Sequence, residues 1–244
     1  MLLRCAGSSS EGNCYSLTDS SGQVLLIEAG VSHGKLCRFI HWNITNVVGC
    51  IVTHHHMDHV ASASRLRMKG VKTYLPFELD EHRKEVVFGN FKIKSFPLTN
   101  SMNKFVHTNG DGTECPIFGF LIEHDEMGKM VYITDCEYCR YTFRKLKVNH
   151  ILIGVNYQKE YTSLDEAKFG HVVTGHMSED TALEFIKAND TDALQNVIAC
   201  HLSEESCNAD KLLGNLQNAV SAGVNVQIAV PGIETELYKD CPFG

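Results

Sequence analysis

The chain has 244 residues, 43% hydrophobic and 21% charged, with a net charge of −7 and a pI of about 6.0. That composition is ordinary for a globular protein, and the length suits one large domain over 1–244. It excludes a membrane span, which needs roughly 18 consecutive apolar residues, and the acidity disfavours a grip on a long polynucleotide, for which a basic surface is usual.

The N-terminal Met1-Leu2-Leu3-Arg4-Cys5 lacks the apolar stretch of a signal peptide, so a cytoplasmic protein is expected. Short apolar runs rich in β-branched residues predict strands at 24–28, 47–53, 71–75, 91–98, 118–124, 130–134, 150–155, 196–201 and 225–230. Ser178 reads as a helix cap, followed by acidic Glu179 and Asp180 in the first turn. Ala182, Leu183, Phe185 and Ile186 then give that helix an apolar face. Asn208 caps a second helix running to about Val220, with Leu212, Leu213 and Leu216 turned inward. Strands mixed with helices along the whole chain predict an α/β protein with sheets covered by helices.

Ten cysteines are scattered without a repeating spacing, and Cys50 and Cys200 fall inside predicted strands. They read as buried free thiols in a reducing compartment. Cys136 and Cys139 form a Cys-x-x-Cys pair, but a zinc ribbon needs a second pair, so no metal is assigned to them.

The chemistry is concentrated in Thr53-His54-His55-His56-Met57-Asp58-His59, directly after an apolar strand. Imidazole nitrogen and carboxylate oxygen suit zinc, manganese or iron. In an extended segment His54 and His56 point to the same side, because side chains alternate. His55 should then face away. Asp58 and His59 lie on the turn beyond, within reach of a second ion.

This His-x-His-x-Asp-His motif resembles the signature of the metallo-β-lactamase superfamily. The resemblance implies an αββα sandwich of two mixed sheets flanked by helices, with two divalent metals, zinc or manganese, at one edge between the sheets. It also implies further ligands downstream. His107 in Phe105-Val106-His107-Thr108, Asp135 in Tyr132-Ile133-Thr134-Asp135 and His201 at the end of the 196–201 strand match those places. By that resemblance His54, His56, His107 and Asp135 hold one ion, and Asp58, His59, Asp135 and His201 hold the other. Paired ions of this kind sit about 3.5–4 Å apart, activate a water and clamp a phosphoryl oxygen.

Gly175-His176-Met177-Ser178, followed downstream by His201-Leu202-Ser203, resembles the phosphodiesterase branch of the superfamily, that of RNase Z and its YycJ-like relatives. There the first His is not a ligand; it contacts the scissile phosphate and can donate a proton. By that resemblance Asp58 and His176 are catalytic. His176 also precedes a predicted helix N-terminus, where backbone N–H groups favour an anion. The turn Gly7-Ser8-Ser9-Ser10-Glu11-Gly12-Asn13-Cys14, the strand end Leu26-Ile27-Glu28-Ala29-Gly30 and the pair Asn156-Tyr157 resemble the YycJ-like group. Glu28 stands where that group more usually has Asp, and is expected to support the site rather than ligate.

RNase Z carries a long arm that grips tRNA, and no Gly/Pro-rich insertion here could be that arm. The small size, acidity and YycJ-like turns resemble phage-encoded anti-Pycsar phosphodiesterases, compact homodimers that open cyclic nucleotides. A YycJ-like nuclease is the alternative. The stretch Thr108–Cys115 is expected to be a loop, with Asn109–Glu114 as a candidate lid on the substrate side.

Overall fold

The computed structural model describes residues 1–79, 85–98, 106–108, 114–161, 176–203 and 206–240, with only the backbone of 106–108. Strands β1 (Leu2–Gly7), β2 (Cys14–Thr18) and β3 (Val24–Ile27) form an antiparallel meander. β4 (Val47–Ile51) and β5 (Thr73–Tyr74) extend it in parallel. A second sheet begins antiparallel, through β6 (Glu85–Phe88), β7 (Phe91–Pro97), β10 (Phe118–His124) and β11 (Gly128–Ile133). It continues in parallel through β12 (His150–Gly154), β13 (Asn196–Cys200) and β14 (Asn225–Ile228). Among the described residues, β8 (Val106–Thr108) and β9 (Glu114–Pro116) form a separate two-stranded ladder. β15 (Glu234–Glu236) returns to the first sheet and pairs with β1.

Three apolar clusters explain the layering. Leu3, Tyr15, Leu25 and Ile51 of the first sheet meet Phe91, Phe120, Tyr132 and Ile198 of the second. On the outer face of the second sheet, Val131, Ile151 and Val197 pack under α4 (Glu179–Asn189) and α5 (Ala209–Ala219) through Ala182, Ile186, Leu212 and Leu216. On the outer face of the first, Leu26, Cys50 and Val52 pack under α1 (His33–Phe39) and α3 (Ala63–Met68) through Leu36, Ala63 and Leu66. Neighbouring residues of one strand thus serve different cores: Phe120 and Ile122 face inward, Leu121 outward. Both sheet faces are covered, so these strands read as continuous apolar runs. Each fully buried Leu, Ile or Phe contributes about 1.5–3 kcal/mol. The α/β architecture is the expected αββα sandwich of two mixed sheets.

Both helix starts fall where the capping residues place them: Ser178 accepts from Thr181 N and Asn208 from Lys211 N. Several strands end sooner than expected. The chain leaves the sheet at Glu28 and His201, whose φ values of 62° and 52° break the extended conformation. The stretch Thr108–Cys115, expected as a loop, is flanked by a ladder in which His107 faces Cys115 and Thr108 faces Glu114. The candidate lid lies outside the described residues apart from Glu114.

The described cysteines are all free thiols. Burial holds the Cys136 thiol well above its ordinary range and pushes Cys139 up to about 12, so neither is a thiolate at neutral pH. Among the described residues no helix is long and apolar enough to cross a membrane.

His150 is fully buried at the start of β12, with Nε2 2.9 Å from Met127 O and Nδ1 3.0 Å from Asn196 Nδ2. Asn196 Nδ2 donates to Nδ1, so the neutral ring donates from Nε2. Burial pushes its pKa down from 6.5 to about 4. The unfolded chain therefore binds the proton more readily, and this contribution to stability is present above pH 6.5 and lost as pH falls toward 4. The loss over that window is about 3 kcal/mol. Urea unfolding at pH 7 and pH 4.5 should show a smaller fall in midpoint for His150→Gln than for the parent; equal falls would refute this.

Candidate metal centre

The strands deliver the polar residues to one edge, between the sheets. Glu28 follows β3, His54 follows β4, Asp135 follows β11, Asn156 follows β12 and His201 follows β13. Asp58 and His59 lie in α2 (Met57–Val60). Glu28, Asp135 and His201 all have left-handed backbones, with φ of 62°, 50° and 52°. Such non-glycine conformations concentrate at functional sites, where the surrounding structure overrides their local cost. Gly30 lets the chain pass: a Cβ there would sit 1.6 Å from Asp58 O.

The hydrogen bonds set the histidine tautomers. Thr53 Oγ1 donates to Glu28 Oε1 at 2.7 Å, so its lone pair is left to accept from His54 Nδ1 at 2.9 Å. His54 Nε2 is then unprotonated. His59 Nδ1 lies 3.4 Å from the same Glu28 oxygen, an acceptor-only group that favours a proton there. Nε2, the ring nitrogen that a metal would take in exchange for a proton, lies 2.7 Å from Asp135 Oδ2 and 3.2 Å from the Asn13 amide. One buried carboxylate thus orients two imidazoles, an arrangement that raises ligand basicity at metal sites.

Asp135 Oδ2 is the centre of convergence. It lies 2.7 Å from His59 Nε2, 3.5 Å from His201 Nε2 and 3.9 Å from His54 Nε2. It is nevertheless a buried oxygen without a hydrogen bond of acceptable geometry. Such an atom is costly unless something binds it. Asp58 Oδ2 completes the group, 3.2 Å from both His59 Nε2 and His201 Nε2. Donor atoms of His54, His59 and Asp135 all lie within 4.8 Å of one another, as do those of Asp58, His59 and His201. Nitrogen and carboxylate donors converging on an orphaned oxygen fit a divalent cation.

The charges balance internally. Burial alone would raise Asp135, but the neighbouring His201 and His59 hold its carboxyl well below the usual range. Asp58 is lowered in the same way by His201 and His59 against its own burial. Burial alone would lower His59, yet Glu28 and Asp135 raise it well above the ordinary value. His201 is raised by Asp135 and Asp58. A dication entering here competes with protons, so its affinity rises with pH.

The remaining expected residues fall as follows. His56 is half-buried beside His54, with ring centroids 4.6 Å apart, but outside both groups of converging donors. His55 is exposed and turns toward Phe77. The side chain of His107 lies outside the described residues. His176 is partly exposed, with Nε2 3.9 Å from Asp135 Oδ1. The expected anion seat at the start of α4 is not free. Ser178 caps Thr181 N, Glu179 N donates to Tyr157 O, and Met177 N donates to Asn156 Oδ1. Glu179 and Asp180 add negative charge there.

Three supporting residues received no role from sequence. Asn156 Nδ2 donates to Asp135 Oδ1 at 3.1 Å and lies 3.1 Å from His201 Nδ1. Ser8 Oγ accepts from His201 N at 3.0 Å and from Tyr15 Oη at 2.9 Å. Asn13 N donates to Asp58 O at 2.7 Å. Their only signal was that the Gly7–Cys14 turn and Asn156-Tyr157 resemble a known group.

The metallo-beta-lactamase superfamily model matches residues 10–123. No curated protein matches the sequence. Among solved structures, the metallo-beta-lactamase fold protein YhfI from Bacillus subtilis is similar at 17% identity and a TM-score of 0.69, over 96% of this chain and 99% of that one. Yeast PDE1 is similar at 11% identity and 0.64, over 97% and 99%. Human tRNase Z, short form, is similar at 13% identity and 0.59, over 97% and 99%. At these identities the likeness is one of architecture: two mixed sheets, helices outside, and a His/Asp cluster at the sheet edge give this chain the metallo-β-lactamase fold.

Proposed function

We propose that this chain is a two-metal phosphodiesterase that hydrolyses 3′,5′-cyclic mononucleotides to linear nucleoside monophosphates, as a cytoplasmic homodimer of the anti-Pycsar kind. The observation that carries a metal-dependent hydrolase is the orphaned Asp135 Oδ2 ringed by His54, His59 and His201. His54, His56, His107 and Asp135 would hold one ion, and Asp58, His59, Asp135 and His201 the other. When bound, two such ions supply an activated water and offset charge at phosphorus.

The chain's own residues do the rest. Glu28 and Thr53 fix the imidazole tautomers. Asn156 steadies Asp135 against rotation. His176, outside the converging donors and partly open to solvent, contacts a non-bridging phosphoryl oxygen or protonates the leaving 3′ oxygen. The net charge of −7 favours a small phosphate over a long polyanion.

The deciding experiment is hydrolysis of 3′,5′-cyclic AMP, GMP, CMP and UMP beside 5′-labelled single-stranded DNA, with an Asp58→Ala, His59→Ala double variant as control. Ring opening that the double variant loses is expected. DNA degradation with the cyclic nucleotides untouched would replace this reading with a YycJ-like nuclease. His176→Ala is expected to lower kcat about 10²–10⁴-fold while the metal content, measured by atomic emission, stays at the parent level. A drop in metal content would instead make His176 a ligand.

A further inference from the structure

A second cleft, of about 480 Å³, lies alongside the His201 end of the site. Ser8, whose hydroxyl accepts from His201 N at 3.0 Å, also lines this cleft. Leu202 and Ser203, the two residues after His201, line it as well. The loops after β1 and β13 therefore serve both places, with Ser8 shared between them and Leu202 next in the chain to His201. We propose that this cleft seats the nucleoside half of the substrate while the phosphate lies at the His/Asp cluster. This inference rests on the phosphodiesterase reading and names where the rest of that substrate goes.

The volume falls in the usual range for small-molecule pockets, roughly 300–1,000 Å³. The lining has the mixed character a nucleoside needs. Leu202, Val230 and Pro231 offer apolar surface for a base, and Ser9 and Ser203 offer hydroxyls for ribose or base edges. Lys35 and Glu11 both line the cleft, and their charges are opposite. A second phosphate group would call for net positive charge; one lysine and one glutamate on the lining leave no net charge, which suits an uncharged nucleoside. The loop that carries Ser8, Ser9 and Glu11 is pinned in place. Gly12 N donates to Ser9 O at 2.9 Å, and Asn13 Nδ2 donates to Ser9 O at 3.0 Å.

Val230 is 53% exposed and Lys35 is on the surface of α1, so Val230→Trp and Lys35→Trp fill the cleft without entering a core. The first readout is the ratio of kcat/KM for a 3′,5′-cyclic nucleotide to that for bis(p-nitrophenyl) phosphate, which has no nucleoside. That ratio is expected to fall about tenfold or more in each variant. The second is calorimetric binding of adenosine 5′-monophosphate to the metal-loaded chain, expected to weaken by a similar factor. Trp42→Ala, at an exposed position outside the cleft, should match the parent in both. A parent-like ratio and parent-like affinity in both tryptophan variants would overturn the assignment. If the parent hydrolyses no phosphodiester, the reading of the activity fails, yet calorimetry still decides the cleft: weakened monophosphate binding supports it, and unchanged binding rejects it.

Discussion

Asp135→Asn is expected to strip bound metal from the chain and to lower phosphodiester hydrolysis by more than about 100-fold. The reasoning starts from one oxygen. Asp135 Oδ2 is the atom on which three imidazole nitrogens converge, at 2.7, 3.5 and 3.9 Å. An asparagine keeps the shape and tolerates the left-handed backbone at φ 50°. It can still accept from Asn156 through the oxygen that replaces Oδ1. The amide nitrogen, however, replaces a ligand lone pair with two protons aimed at the imidazoles. The metal-free protein should also lose stability, by about 3 kcal/mol, because the raised His59 and His201 lose their buried counter-charge. Metal content by atomic emission and urea midpoints with and without chelator measure the two effects. Full metal occupancy in the variant would remove Asp135 from the centre.

The second large effect is expected at a residue that touches no substrate. Glu28→Gln should weaken metal binding about 10–100-fold through His59. Glu28 Oε1 both accepts from Thr53 Oγ1 and faces His59 Nδ1. A glutamine with its oxygen at the Oε1 position keeps both contacts and loses only the negative charge beside His59. With its oxygen at the Oε2 position, accepting from Thr53 N, its NH₂ faces Nδ1, and the ring must then accept there and carry its proton on Nε2, the atom that faces Asp135. A wrong tautomer disables an imidazole without moving it. Because Glu28 is a positioning residue, the informative readouts are the tautomer, by ¹⁵N chemical shift of His59, and the recovery of metal affinity in Glu28→Asp, which restores an acceptor-only group. An unchanged tautomer together with unchanged metal affinity in Glu28→Gln would reduce Glu28 to a packing residue.

How much of this was legible in the sequence depends on how each residue is specified. The His54–His59 run is contiguous and follows a strand, so bringing His54, Asp58 and His59 to one sheet end needs only a strand and a turn, whereas alternation also offered His56, which lies outside the converging donors. Asp135 and His201 were legible as strand ends, and the observed left-handed backbones show why the strands stop there. Both long C-terminal helices were legible because their caps are local. Glu28 facing His59 was not, since that contact requires β3 and β4 to lie side by side in parallel. Asn156 depends likewise on the pairing of β12 with β13. Strands β1 and β2 escaped because polar Arg4 and Ser16 interrupt their apolar residues, and β15 because it has little beyond Thr235 to bury. The expected anion seat failed for a tertiary reason too: the N–H groups there are taken by Tyr157 and Asn156.

The pairing of Leu2 with Glu236 has a consequence for synthesis. Translation delivers β1 well before its edge partner β15. Until β15 emerges, one rim of the first sheet presents bare backbone to its surroundings, a template for self-association. Its inner face, with Leu3 and Tyr15, also waits for Phe120, Tyr132 and Ile198 from later in the chain. A nascent chain stalled between the two sheets therefore exposes both an open edge and an oily face, the condition under which chaperones are recruited. Sequence-distant closure of this kind also slows folding, because loop entropy is lost before the contacts that offset it are made.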